Sequence, residues 1–167
     1  MDLKKFFLEQ LEIEAAASRK AIERAPEGHN SFKPHPRSME FGYLASLVAT
    51  MPGWVAMVIN QDLTDIDGAD SGFRTRSVES RAELLRLLDE GHGKSRTALE
   101  GTTEEHLMKP WGLRMGGQIL TQGPRYSQLR EGVLSHLAHH RGQLTVYLRL
   151  LESKVPAIYG PSADEMH

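Results

Sequence analysis

The chain has 167 residues, a formal net charge of −2 with neutral histidines, and no cysteine. This length suits one domain with its own core, and we expect residues 1–167 to form one domain that ends in a tail over 153–167. The near-neutral charge argues against nucleic-acid and membrane binding, and without cysteine a metal site would depend on histidine, carboxylate and water.

Apolar residues at helical spacing predict a first helix over roughly 2–25, which ends before Pro26 and Gly28. Charged residues run through this segment, so it is typical of neither a signal peptide nor a membrane span. We therefore expect a soluble, cytoplasmic protein. The polar loop "PEGHNSFKPHPR" follows this helix.

A second helix is expected after Ser38, a plausible N-cap, because an apolar stripe runs from Phe41 to Val58. Pro52 in "MPGW" should kink this helix, since proline cannot donate to the preceding turn. The glycine-rich, acidic segment "DLTDIDGADSGF" then predicts a connection.

A third helix should begin near Ser77 or Ser80, where "SRAE" has capping-box spacing, and end at Gly101. The segment "MKPWGLRMGGQILTQGPR" predicts a long irregular connection, with a small hairpin as the alternative. The last helix should run from about Arg125 to Ser153. Four amphipathic helices favour an all-α fold, an up-down four-helix bundle with the irregular connection before the last helix.

The segment "SHLAHHRGQL" carries the candidate metal ligands His136 and His140. They lie one helical turn apart, with Cβ atoms expected about 5–6 Å from each other, so both rings could reach one divalent ion. His139 points about a third of a turn away. The same spacing occurs on solvated helix faces, and Leu137 replaces the glutamate that a zincin protease requires after its first histidine.

Several segments resemble the DinB-like family in the same order along the chain, above all "HLAHHRGQLTVYLRLL" followed by "VPAIYGPSADE". Weaker matches are "KPHPRSM", "LASLVATMPGW" and "GPRY". The resemblance implies an up-down helical bundle, commonly a homodimer, with a divalent metal such as zinc or nickel held by three histidines and water. Some relatives are thiol-dependent transferases or isomerases, which implies a low-molecular-weight thiol as a partner.

Carried over by position, the resemblance assigns His136 and His140 as metal ligands and leaves Leu47 where a third histidine is expected. This departure predicts a metal site that is weak, rearranged or lost. Glu40 and His35 are the remaining candidates for a third ligand, and neither is expected to reach.

Three functions stay open from the sequence. The first is a divalent-metal-binding enzyme related to thiol-dependent S-transferases, acting on a small molecule. The second is a metal-free dimeric module that binds a small molecule or serves as a scaffold. The third, a metal-dependent hydrolase, lacks a recognisable nucleophile and base.

Residues beside the histidines carry further predictions. Gln143 either hydrogen-bonds a ligating ring or is an exposed glutamine. Gly142 is expected to allow the close approach of another segment, with room for a ligand as the alternative. Arg141 should form a salt bridge or lie at an interface.

Aromatic residues outside the histidine cluster carry two more predictions. Trp54 and Trp111 line the mouth of a pocket or belong to the core. Tyr159 should dock the tail into a groove of its own subunit or of a partner.

Overall fold

The computed structural model describes residues 2–68 and 75–166, most of which are helical. The helices are α1 (Leu3–Glu23), α2 (Phe41–Thr50), α3 (Trp54–Asn60), α4 (Arg81–Gly101), α5 (Glu104–Met108), α6 (Arg125–Gln128) and α7 (His136–Leu150). A 3-10 turn, Met51–Gly53, joins α2 to α3, and a π-helical segment, Leu129–Ser135, joins α6 to α7. The predicted long helices are present, each close to its expected ends.

A small sheet corrects the all-α prediction. Strands β1 (Leu63–Asp65), β2 (Pro110–Met115) and β3 (Gln118–Pro124) lie in the order β1-β2-β3, with β1 parallel and β3 antiparallel to β2. The expected irregular connection is thus largely a hairpin. Its turn, Gly116 and Gly117, has φ angles of +57° and +76°, the conformation that a tight two-residue hairpin requires and that glycine adopts without strain.

The predicted kink at Pro52 is confirmed, and α4 stabilises it. The Ser95 hydroxyl donates to the Pro52 carbonyl at 2.7 Å and accepts from the Ala56 amide at 3.0 Å. A serine side chain thereby replaces the direct amide-to-carbonyl bond of a regular helix. The backbones of the 3-10 turn and α4 also approach closely, since a Cβ added to Gly91 would lie 3.0 Å from the Gly53 nitrogen.

Helix ends follow the predicted caps at one site and depart from them at another. Ser80 caps α4, accepting from the Glu83 amide at 3.2 Å as the capping box predicts. The expected cap at Ser38 is wrong, because α2 begins at Phe41, and Glu40 is its N-cap residue, without a side-chain hydrogen bond.

One hydrophobic core joins the long helices with the start of β2. The helical stretch Phe41–Asn60 is long and apolar enough to cross a membrane, but 72% of its most apolar 18 residues are buried inside the protein. Burial in the core accounts for this hydropathy. The fold is mostly helical, while the up-down connectivity of a four-helix bundle stays a prediction.

Candidate metal centre and adjoining cavity

The structure brings the two predicted ligands together on the first turns of α7. The Nε2 atoms of His136 and His140 lie 2.8 Å apart, and their ring centroids lie 4.5 Å apart. His140 is buried, whereas His136 is exposed. The pair therefore lies at the boundary between the core and the solvent.

The second nitrogen of each ring faces an oxygen. His136 Nδ1 lies 3.3 Å from the Gly132 carbonyl oxygen, and His140 Nδ1 lies 2.8 Å from Gln143 Oε1. Carbonyl oxygens only accept, so with the Gln143 oxygen facing His140 the ring proton belongs on both Nδ1 atoms, and the opposite amide orientation would move the His140 proton to Nε2. With both protons on Nδ1, the two Nε2 lone pairs point toward each other, which is favourable only when a cation or a proton lies between them. Metal-ligating histidines commonly use the Nδ1–H group in this way.

The π-helical segment immediately precedes the pair and determines its orientation. In Leu129–Ser135 the hydrogen bonds span one residue more than in an α-helix, which shifts the side chains on either side relative to each other. Gly132, whose carbonyl faces His136, lies inside this segment. Isolated π-helical turns are frequent at functional sites.

The surroundings of His140 favour its neutral form. Burial lowers the pKa of His140, and positive charge on His136 or His139 would lower it further, while the hydrogen bond to Gln143 opposes these effects. A neutral imidazole has the free lone pair that a metal ion requires.

A leucine occupies the position where the family pattern predicts a third ligand. Two contacts that flank α2 show that it runs antiparallel to the last helix. Before α2, the Met39 carbonyl accepts from the Tyr147 hydroxyl at 2.9 Å, and after α2, the Trp54 ring lies 6.0 Å from the His136 ring. Leu47, between Met39 and Trp54 in sequence, is buried in the core. Across residues 2–68 and 75–166, no three histidine or carboxylate side chains are grouped as a metal site.

The two alternative ligands have other partners. Glu40 pairs with Lys33 at 3.4 Å, and His35 Nδ1 accepts the Arg37 amide at 3.2 Å. His139 is exposed.

An apolar cavity of about 240 Å³ adjoins the pair. His136 lines the cavity together with Trp54 and Trp111. Both tryptophans are also buried, so the pocket and core interpretations hold together. The sequence did not reveal that the hairpin contributes to this cavity, which Leu113 of β2 and Thr121 of β3 also line.

The opposite side of α7 carries a buried ion pair. Arg141 is 1% exposed and donates to the Glu14 carboxylate at 2.6 Å, to the Glu14 carbonyl at 3.1 Å and to Ser18 Oγ at 3.2 Å. Tyr159 joins this network, since its hydroxyl donates to Glu14 Oε2 at 2.8 Å and accepts from Arg141. The tail is thus bound to its own chain through the Tyr159 hydroxyl, but Tyr159 is 68% exposed, so its ring does not fill the expected groove. The salt bridge expected of Arg141 is present.

Gly142 corrects a prediction. A Cβ built on it would meet no atom within 4 Å, so no other segment of the described chain approaches closely there. Gln143 contacts His140, which favours the first of its two interpretations.

The fold is similar to two solved structures over nearly its whole length. A DinB-like protein of Bacillus subtilis is 22% identical with a TM-score of 0.67, and the alignment covers 96% of this chain and 99% of the other. A DinB-like protein of Bacillus cereus is 19% identical with a TM-score of 0.68, covering 92% of this chain and 95% of the other. The sequence model of the DinB family matches residues 130–167. The predicted resemblance to the DinB-like family is confirmed.

The DinB family match contains the histidine pair, Gln143, Arg141 and the docked tail with Tyr159. A search of curated proteins finds no match.

Proposed function

We propose that this DinB-like protein binds one divalent metal ion, zinc or nickel, through Nε2 of His136 and His140, with water completing the coordination. The single observation that carries the proposal is the convergence of the two Nε2 atoms while both Nδ1 atoms face oxygens. When bound, the metal would act as a Lewis acid that lowers the pKa of a coordinated water or thiol. On this basis we propose a transferase related to the thiol-dependent S-transferases, acting on a small molecule.

The geometry of the pair is compatible with such an ion. Two metal–nitrogen bonds of about 2.0–2.1 Å span about 2.9 Å at the right angle of an octahedral ion and about 3.3 Å at a tetrahedral angle, and the two Nε2 atoms lie 2.8 Å apart, closer to the octahedral value. Gln143 and the Gly132 carbonyl hold the rings in the orientation that a ligand needs. Leu47 supplies no lone pair, so we expect weaker binding than at a three-histidine site.

The alternative function is a metal-free module that binds a small molecule. This function requires the opposite orientation of the Gln143 amide, flipped by 180°, so that its NH₂ group donates to His140 Nδ1. His140 Nε2–H would then donate to His136 Nε2, and the pair would be satisfied without a cation.

Calorimetric titration of untagged, chelator-treated protein with Ni²⁺ or Zn²⁺ decides between these functions. We expect one site in the wild type, lost in His136→Ala and His140→Ala. His139→Ala is the matched control, because it removes a neighbouring exposed histidine of the same helix and should bind as the wild type does. Failure of the wild type to bind either ion, or equal binding by His136→Ala, would contradict the proposal.

Two further variants test the details of the site. Gln143→Leu removes the hydrogen-bond partner of His140 and should weaken metal binding about 10–100-fold. Leu47→His should strengthen it by adding a third imidazole, and unchanged affinity would mean that another ligand already fills that position. The expected homodimer stays a prediction that light scattering tests.

A further inference from the structure

The cavity beside His136 is lined mostly by apolar side chains, among them Trp54, Trp111, Val58 and Leu113. Three polar residues also line it: His136, Thr121 and Gln128. The Thr121 hydroxyl donates to Gln128 Oε1 at 3.4 Å, a long and weak hydrogen bond. The cavity therefore offers mostly apolar contact, and His136 is the lining residue that belongs to the candidate metal centre.

One of the residues that line the cavity carries an unsatisfied donor. The indole N–H of Trp111 is buried and has no hydrogen-bond partner in the part of the chain that the structure describes. An unpaired buried donor destabilises the fold, and such groups are uncommon in folded proteins. An occupant with a lone pair near this indole would reduce that destabilisation.

The volume limits the occupant. Pockets for drug-sized ligands span about 300–1,000 Å³, and a dry cavity of about 150 Å³ binds benzene. At about 240 Å³ the present cavity holds one aromatic ring with a short substituent. Two indole walls favour a flat, apolar group over a polar or sugar-like one.

We infer that the substrate is a small molecule with one aromatic ring, which occupies this cavity and places a lone-pair head group, such as a thiol, at His136. The inference rests on the proposed function, because it names the substrate class of the same site. The cavity itself does not depend on the metal, so the two can be tested separately.

Toluene is a suitable probe of the cavity in chelator-treated, metal-free protein. The chain has only two tryptophans, and both line the cavity, so every indole N–H signal in a ¹H–¹⁵N spectrum reports on it. We expect saturable shifts of both signals, assigned through Trp54→Phe and Trp111→Phe. Thr121 is an exposed residue of β3 that lines the cavity. The phenyl ring of Thr121→Phe should fill part of the cavity and weaken toluene binding at least about tenfold.

Ile119→Phe is the matched control, because it adds the same ring to an exposed position of β3 that does not line the cavity. It should bind toluene as the wild type does. The absence of a saturable shift in the wild type, or an equal shift in Thr121→Phe, would overturn the inference.

The head group is tested by comparing phenylmethanethiol with toluene in protein loaded with Ni²⁺. The thiol should bind more tightly and produce a sulfur-to-nickel absorption band, and both effects should vanish in His136→Ala. Equal affinity of the two compounds would overturn the placement of the head group. A protein that binds toluene but no metal would contradict the proposed function and leave the aromatic cavity site standing.

Discussion

His140 and Arg141 are adjacent residues of α7, and both are buried, but they differ in how far the rest of the chain supplies partners for their polar atoms. Around Arg141 the chain supplies every partner: the carboxylate and carbonyl of Glu14, the hydroxyl of Ser18 and the tail hydroxyl of Tyr159. Around His140 the partners hold the ring but leave two lone pairs converging. The Arg141 network is complete within the chain, whereas the histidine pair, with the Gln143 oxygen facing His140, is complete only when it binds an ion or a proton.

The largest expected effect comes from breaking the Arg141 side. Arg141→Met leaves the Glu14 carboxylate buried without its cation, and we expect a loss of about 3–5 kcal/mol in the free energy of unfolding, measured with urea. Arg149→Met is the control, since Arg149 lies on the same helix and pairs with Asp164 at the surface, and it should cost much less. Losses of similar size in both variants would contradict the structural role given to Arg141.

A pH titration below neutrality should reveal the His140 side. Because burial lowers the pKa of His140, the unfolded chain takes up a proton below about pH 6.5 while the folded chain does not. Stability of the metal-free protein should therefore fall as the pH drops below about 6.5, until the pKa of the folded state is reached.

Urea unfolding at a series of pH values measures this effect. His140→Gln has no proton to gain at this position and should give a flatter profile. Identical profiles for the variant and the wild type would show that His140 titrates alike in the folded and unfolded chains.

The smallest change in the free energy of unfolding is expected at Gly142, the residue that follows Arg141 in α7. Gly142→Ala fills open space inside a helix, where glycine costs about 0.5–1 kcal/mol relative to alanine, so the variant should be more stable by that amount. Thermal unfolding of the metal-free protein measures the gain. A destabilised variant would mean that Gly142 serves close packing after all, as the sequence suggested.

Sequence patterns predicted the elements whose cause is local. The capping box at Ser80 and the kink at Pro52 follow from side chains that act within one helical turn. The hairpin carried a comparable signal, the two glycines of "RMGGQIL", but the glycine-rich surroundings favoured an irregular interpretation. The parallel pairing of β1 with β2 joins segments about 50 residues apart and has no local signature.

The sequence by itself determined the helical segments and the one-turn spacing of His136 and His140, because helical periodicity is a property of neighbouring residues. Only the tertiary structure decided what those rings face. The cavity and the Arg141 network are built from segments distant along the chain, and the π-helical segment that orients His136 shifts the register that periodicity assumes. Contacts across such distances depend on how the whole chain packs, and no short pattern encodes them.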